Sequence, residues 1–270
     1  MESNNNSIIV TFIFEQSLKP QTLIVFIAII VIEVSELFCQ KVTKDYCIQI
    51  SKKIAIIVLT YFLITIPISY IKNDVMKLDS NKKIGLTHFL MMGLNTKTNG
   101  VWSGEDISFS MSFPNEKLRK QKNLEKVKDR IKEQKTLGLI KHLRNKILVN
   151  FNDGTFFFGE EGDFYVLYYF SEPSQNNFIT NCVYSTGKHY IYFSSIRQAV
   201  WLLILFLMLF CYSNKNSKEI LLIQLSLVGL FLFEILFEAR SRYLFIYVPY
   251  FIMLAIFGIN KVLLKLRVEV

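Results

Sequence analysis

Apolar residues in this chain gather into dense runs, with the charge held between them. The runs are Thr22–Phe38, Ile54–Ile71, Ala199–Tyr212, Ile220–Phe237 and Tyr243–Leu264. A helix needs roughly 20 mostly apolar residues to cross a bilayer. Each run is therefore read as a transmembrane helix, the third completed by Ser194–Gln198. Ser7–Phe14 is apolar but too short to cross, and no basic start, apolar core and small-residue cleavage site precede it.

The polar connections orient these helices. Cys39–Lys53, Ser213–Glu219 and Asn260–Val270 together carry nine Lys/Arg, whereas Lys19, Arg240 and Arg242 stand on the opposite side. Cytoplasmic loops hold the excess of cations, so the C-terminus is placed in the cytoplasm and the N-terminus outside. The long segment Lys72–Arg197 then lies outside too, since long loops translocate largely regardless of charge. The expected fold is a membrane all-α helical bundle of about five transmembrane helices, with an extracytoplasmic mixed α+β domain. Its parts are 1–71 (external tail and the first two helices), 72–197 (extracytoplasmic domain) and 198–270 (the remaining helices and a cytoplasmic tail). A chain that starts outside, with only Met1–Pro20 ahead of its first helix, reads equally as a genuine N-out protein or as the later part of a longer one.

The external segment is patterned. Asn115 is placed to cap a helix from Glu116, with Leu124, Val127 and Ile131 at helical spacing. Glu116–Lys146 holds 12 Lys/Arg against four acids, and Gly138 is expected to interrupt it. A second amphipathic helix follows, with Leu139, Leu143, Ile147 and Phe151 on one face and Lys141, Arg144 and Lys146 opposite. It suits either a membrane surface or an ordinary core with a solvated face. Asn152-Asp153-Gly154 reads as a turn. Thr155–Phe158, Phe164–Phe170 and Tyr190–Phe193 are aromatic and strand-like.

Composition narrows the class. The chain is 51% hydrophobic and 20% charged, with a formal charge of +9 and a mean hydropathy of +0.32. Much of the positive excess flanks apolar runs, where cations set topology and meet anionic headgroups. No nucleic-acid-binding motif accompanies it, so nucleic acid is not an expected partner. Cys39, Cys47, Cys182 and Cys211 lack metal or disulfide-framework spacing. His88, His142 and His189 are scattered in sequence, and no metal site is expected.

Two strings stand out chemically. His88-Phe89-Leu90-Met91-Met92-Gly93-Leu94-Asn95 is followed closely by Asn99-Gly100-Val101-Trp102-Ser103-Gly104-Glu105-Asp106. An indole face stacks on a pyranose and carboxylates accept hydroxyl protons, so this loop suits a sugar; it equally suits a structural loop packed on the membrane domain. Glu238-Ala239-Arg240-Ser241-Arg242-Tyr243 precedes the last run. Guanidinium forks match phosphate oxygens bidentately, so Arg240 and Arg242 with Tyr243 suit a phosphate at headgroup depth. Interface anchoring is the plainer reading of the same residues. Glu33, Glu36 and Glu234 are acids within apolar runs, a placement that is functional by default or reaches water and lysine near a helix end.

The strings THFLMMGLNTKTNGVWSGEDISFS, GLIKHLRNKILVNFNDGTF and EARSRYLFIYVPYFIML resemble the C-terminal half of bacterial integral-membrane glycosyltransferases. These are GT-C superfamily enzymes of the protein-mannosyltransferase and aminoarabinose-transferase kind, often found in cell-wall or surface-polysaccharide biosynthesis. The resemblance runs from about Leu18 to Val270. It implies a multi-pass protein of the bacterial plasma membrane. A sugar on a polyprenyl-phosphate donor would be transferred, outside, to a cell-surface glycan or lipid acceptor. It implies Arg240, Arg242 and Tyr243 at the donor phosphate, and His88 and Trp102 at the sugar or acceptor, with Glu105 and Asp106 as candidate catalytic carboxylates. No cofactor is implied beyond the donor substrate itself, and a divalent metal is left open. Such enzymes place their catalytic acid in a first external loop, whereas here only Glu2 and Glu15 precede the first helix. The resemblance therefore implies a C-terminal part that works with a missing N-terminal half or a membrane partner. The alternative is a non-catalytic membrane subunit or degenerate copy serving as a binding or assembly platform.

Overall fold

The computed structural model describes residues 21, 23–39, 44–76, 84–152, 154–156, 178–183, 187–212 and 217–268. Its α-helices are α1 (Leu23–Cys39), α2 (Lys44–Met76), α3 (Leu86–Gly93), α4 (Gly104–Met111), α5 (Glu116–Phe151), α6 (Phe178–Val183), α7 (Tyr190–Met208), α8 (Lys218–Leu236) and α9 (Val248–Val268). Short 3-10 turns follow α7 and precede α9.

Among the described residues four helical stretches are long and apolar enough to cross a membrane: Ile48–Tyr70, Tyr190–Cys211, Lys218–Leu236 and Ser241–Arg267. About five are expected; the remaining apolar run is α1, whose 17 residues rise about 25 Å against a hydrocarbon core of about 30 Å, the short end of the range for a crossing. The spans in α2 and α7 leave Leu59, Leu63, Ile66, Leu203, Phe206 and Leu209 exposed. Such a coat of large apolar side chains is costly in water and ordinary in lipid.

A mixed α+β external domain is not found: no strand occurs among the described residues. Tyr190–Phe193, read as a strand from its aromatic and β-branched residues, is the first turn of α7. Its continuation into Ser194–Met208 is apolar enough to carry the whole stretch as one helix, and tertiary context overrides a weak local preference. Phe164–Phe170 lies outside the described residues, as do Phe157 and Phe158, while Thr155 and Phe156 form no strand. Asn115 does cap α5, accepting from the Leu118 N–H at 2.8 Å. The break within α5 falls at Lys135 (φ 53, ψ 178) and not at Gly138.

The chain divides into two compact units. One comprises residues up to Lys83 together with Asn216–Leu230. Within it Phe26 of α1 packs on Ile57 of α2, with Ile29 and Tyr61 around them. Gly229 lies so close to Ile24 that a Cβ would come within 2.5 Å of its methyl. Glu33 faces Lys53 at 3.5 Å, while Lys41 and the Glu36 side chain lie outside the described residues.

The other unit holds Ile84–Lys215 and Phe231–Val270. Here α3 and α4 fold back as a hairpin on α5, around Met91, Leu94 and Val127. Ser103 caps α4, accepting from the Asp106 N–H at 3.3 Å. Glu105 and Asp106 in the first turn suit the positive end of the helix. Helices α7 and α9 run in close contact, with Gly258 against the Leu207 carbonyl. Trp201 and Phe251 meet edge to face, ring centroids 5.1 Å apart. Lys261 donates to the Cys211 carbonyl at 2.6 Å, closing the far end of α7.

Arg130 holds the hairpin to α5. Its guanidinium donates to Asp106 Oδ1 at 2.6 Å and Oδ2 at 3.1 Å, and to the Met91 carbonyl at 2.5 Å. Arg130→Met leaves the buried Asp106 without its cation, a loss of roughly 3–5 kcal/mol for a broken buried pair. Thermal unfolding in detergent reads this as a clear drop in Tm, which Arg130→Met combined with Asp106→Leu largely reverses. An unchanged Tm for the single variant rejects this role for Arg130.

Candidate functional site

Helix α5 sets the geometry of the site because its buried face is polar. Arg119, Asn123, His142, Lys146 and Asn150 are all buried, and they recur at helical spacing with Arg130 and Gln134 between them. Arg119 Nε donates to the Ser110 carbonyl at 2.9 Å and Nη2 to the Phe113 carbonyl at 3.2 Å, at the end of α4. Gln134 donates to the Leu94 carbonyl at 3.0 Å, just past α3. His142 Nε2 donates to the Gly93 carbonyl at 2.9 Å. Lys146 donates to the carbonyls of Ile235 at 2.7 Å and Phe237 at 2.6 Å, closing α8.

Burial sets the electrostatics. It pushes Lys146 down to about 8, only partly offset by the Glu234 carboxyl. It also holds His88 and His142 below the usual imidazole value. Both imidazoles are therefore neutral near pH 7, as hydrogen-bonded parts of the interior.

Two strings far apart in sequence meet here. The Ala239 N–H donates to the Gly100 carbonyl at 2.7 Å. Gly93 lies against the Phe237 carbonyl, where an added Cβ would sit at 2.5 Å. Asn99 (φ 52) and Gly100 (φ 78) take the left-handed conformations that an Asn-Gly pair supports. Asn145 donates to Asn99 Oδ1 at 3.3 Å and fixes this turn on α5. The loop carrying Trp102 and the segment carrying Arg240 thus share one backbone joint.

Around that joint lies a charged cluster. Glu234 Oε2 accepts from Asn150 Nδ2 at 2.6 Å and from the Arg240 N–H at 3.4 Å. Glu238 accepts from the Tyr243 hydroxyl at 3.2 Å and faces the Arg240 guanidinium at 3.8 Å. Arg242 is exposed and lies over the Tyr243 ring, 5.6 Å from its centroid. Ile147, Asn150, Phe151, Phe231, Glu234 and Ile235 line a narrow seam beside this cluster, too tight to hold a water molecule.

The residues singled out in the sequence take different places. Arg240 and Tyr243 both meet Glu238, and Arg242 lies over the Tyr243 ring. Trp102 is exposed, and Glu105 is a surface carboxylate 3.6 Å from Lys97. Asp106 is buried, bound by Arg130 and by Asn95 Nδ2 at 2.9 Å. His88 is buried as well, its Nδ1 2.7 Å from Ser110 Oγ, which in turn donates to Asn123 at 2.9 Å. His142 bonds the Gly93 carbonyl, and His189 lies beside the Phe178 ring. Among the described residues no group of three or more His, Cys, Asp or Glu converges to hold a metal.

Lys146 and Asn150 escaped the sequence reading. By pattern Lys146 falls opposite the apolar face, yet it is fully buried. The signal lay in the i, i+4, i+8 spacing of His142, Lys146 and Asn150.

Lys146→Met removes the donor from two helix-end carbonyls, at a cost of roughly 1–3 kcal/mol. The difference is pH-dependent. Between about 8 and 10.5 the unfolded lysine still binds a proton that the folded one has released. Wild-type stability therefore rises relative to the variant as the pH rises through that window. Thermal unfolding in detergent across the window shows the gap widening; a gap independent of pH contradicts it.

Neither a curated protein nor a solved structure matches the chain. One family model does, over residues 4–263, and with most of its length covered the chain belongs to the family described as conserved hypothetical integral membrane protein.

Proposed function

We propose that this chain is a membrane glycosyltransferase of the GT-C type, or its C-terminal part, gripping the phosphate of a polyprenyl-phosphate sugar on the extracytoplasmic side. It sits in the bacterial plasma membrane with α1 as a fifth, short crossing, its N-terminus outside and its C-terminus in the cytoplasm. The observation that carries the reading is the joint between Gly100 and Ala239. It ties the Trp102 loop to an arginine pair at the junction of the spans Lys218–Leu236 and Ser241–Arg267. The phosphate of a lipid-linked sugar lies at the ends of membrane spans, where headgroups are. Arg242 is exposed toward such a ligand, Arg240 is turned by Glu238, and the Trp102 indole offers a face for a sugar ring. The acceptor is a cell-surface glycan or lipid.

A second reading has its own support. Asp106 is engaged by Arg130 and Asn95, which leaves Glu105 as the more accessible acid of that pair. A chain with its interior carboxylate so occupied serves equally as a non-catalytic subunit that binds donor for a membrane partner.

Binding of a polyprenyl-phosphate sugar to the full chain in lipid nanodiscs tests the reading. Loss of a charge-assisted hydrogen bond is worth about 1.5–3 kcal/mol, so Arg242→Ala is expected to weaken binding by about tenfold or more. Wild-type affinity in that variant overturns the proposal. Sugar transfer then separates the two forms: Glu105→Gln abolishes turnover with binding intact in an enzyme, whereas a binding subunit shows no turnover even as wild type.

A further inference from the structure

The second half of α5, after the break at Lys135, brings polar side chains inward and leaves large apolar ones outward. Its inner face carries His142, Lys146 and Asn150, all buried. Its outer face carries Leu137, Ile140 and Leu148, exposed by 79%, 59% and 52% among the described residues. A helix on a soluble protein shows the reverse arrangement, apolar inward and polar outward. The solvent that rewards this surface is therefore apolar.

The depth of the helix can be read from its last turns. The Trp201 indole N–H donates to the Phe151 carbonyl at 3.0 Å. The Phe151 ring lies 6.2 Å from that of Phe231 and 6.3 Å from that of Phe251. Trp201, Phe231 and Phe251 belong to three of the candidate spans, so α5 ends at membrane depth. A helix of 16 residues is about 24 Å long, so the outer face starts from that level.

Charge specifies the lipid. Lys135, Lys141 and Arg144 are exposed, and no acid occurs in residues 136–151. Lys141 and Arg144 share the outer side with Leu137 and Leu148 at helical spacing, so their stems lie along apolar surface and their heads reach phosphate.

We propose that residues 136–151 run along the lipid boundary of an anionic bilayer, from acyl depth at Phe151 to the headgroup layer at Lys141 and Arg144. Leu137, Ile140 and Leu148 enter the upper acyl region, and Lys141 and Arg144 hold lipid phosphates. This surface is separate from the donor site and does not depend on the sugar chemistry.

The test uses the full chain in nanodiscs of phosphatidylethanolamine with and without phosphatidylglycerol. An environment-sensitive fluorescent amino acid is introduced at position 140 or 148, and at 120 as a reference near the start of α5. Emission at 140 and 148 is expected to be blue-shifted, quenched by brominated lipid and spared by aqueous iodide, with the opposite result at 120. Lys141→Glu with Arg144→Glu is expected to reduce phosphatidylglycerol retention in native mass spectrometry severalfold, while Lys117→Glu with Lys120→Glu leaves it unchanged. Iodide quenching at 140 and 148 equal to that at 120 overturns the proposal. Protection from both quenchers means that protein covers the face and overturns it as well. Unchanged phosphatidylglycerol retention in Lys141→Glu with Arg144→Glu removes the anionic-lipid assignment.

Discussion

A helix that ends inside a protein leaves its last carbonyls without intrahelical donors, and burying them unpaired costs more than most packing contacts return. In this chain side chains of one long helix supply many of the missing donors. Arg119 serves the end of α4, Arg130, Gln134 and His142 serve the end of α3, and Lys146 serves the end of α8. Three of the five, Arg119, Arg130 and Lys146, are cations, which also suits the negative end of the helix dipole. The polar inner stripe of α5 is thus a structural requirement, because three helices stop against it. Lys261 repeats the device for α7 from a neighbouring span.

The same requirement shapes the candidate site. Lys146 fixes the carbonyls of Ile235 and Phe237, and the chain continues directly into Glu238, Arg240 and Tyr243. The arginine cluster is therefore positioned by a buried ammonium that does not itself face a ligand. On the other side of the joint, Arg130 and Asn95 occupy Asp106, and Ser110 and Asn123 occupy His88. Those residue types drew attention as chemistry, and their partners in the structure are those of an interior frame.

Much of the fold was legible because hydrophobic run length reports membrane spans directly, and because Asn115 and the Asn99-Gly100 pair carry strong local signals. The failures have physical causes. Tyr190–Phe193 looks like a strand when read alone, since aromatic and β-branched residues favour both a sheet and a membrane helix. Lys146 was placed outside by charge, whereas a lysine is stable inside when two carbonyls receive it. The break at Lys135 could not be found by composition, because glycine at 138 is the stronger local signal. The meeting of Gly100 with Ala239 is a contact between main chains, and side-chain patterns do not encode it.

That last contact constrains the evolution of this surface. The joint is made by main-chain atoms, so Ala239 contributes its N–H whatever small side chain it bears. Gly93 and Gly100 have no such freedom. A Cβ at Gly93 meets the Phe237 carbonyl at 2.5 Å, and one at Gly100 meets both the Gly93 carbonyl at 2.8 Å and the Lys146 stem at 2.9 Å. The exposed residues on either side of the joint can therefore be substituted while these two glycines stay fixed. The character of this face can change without the frame beneath it having to be rebuilt.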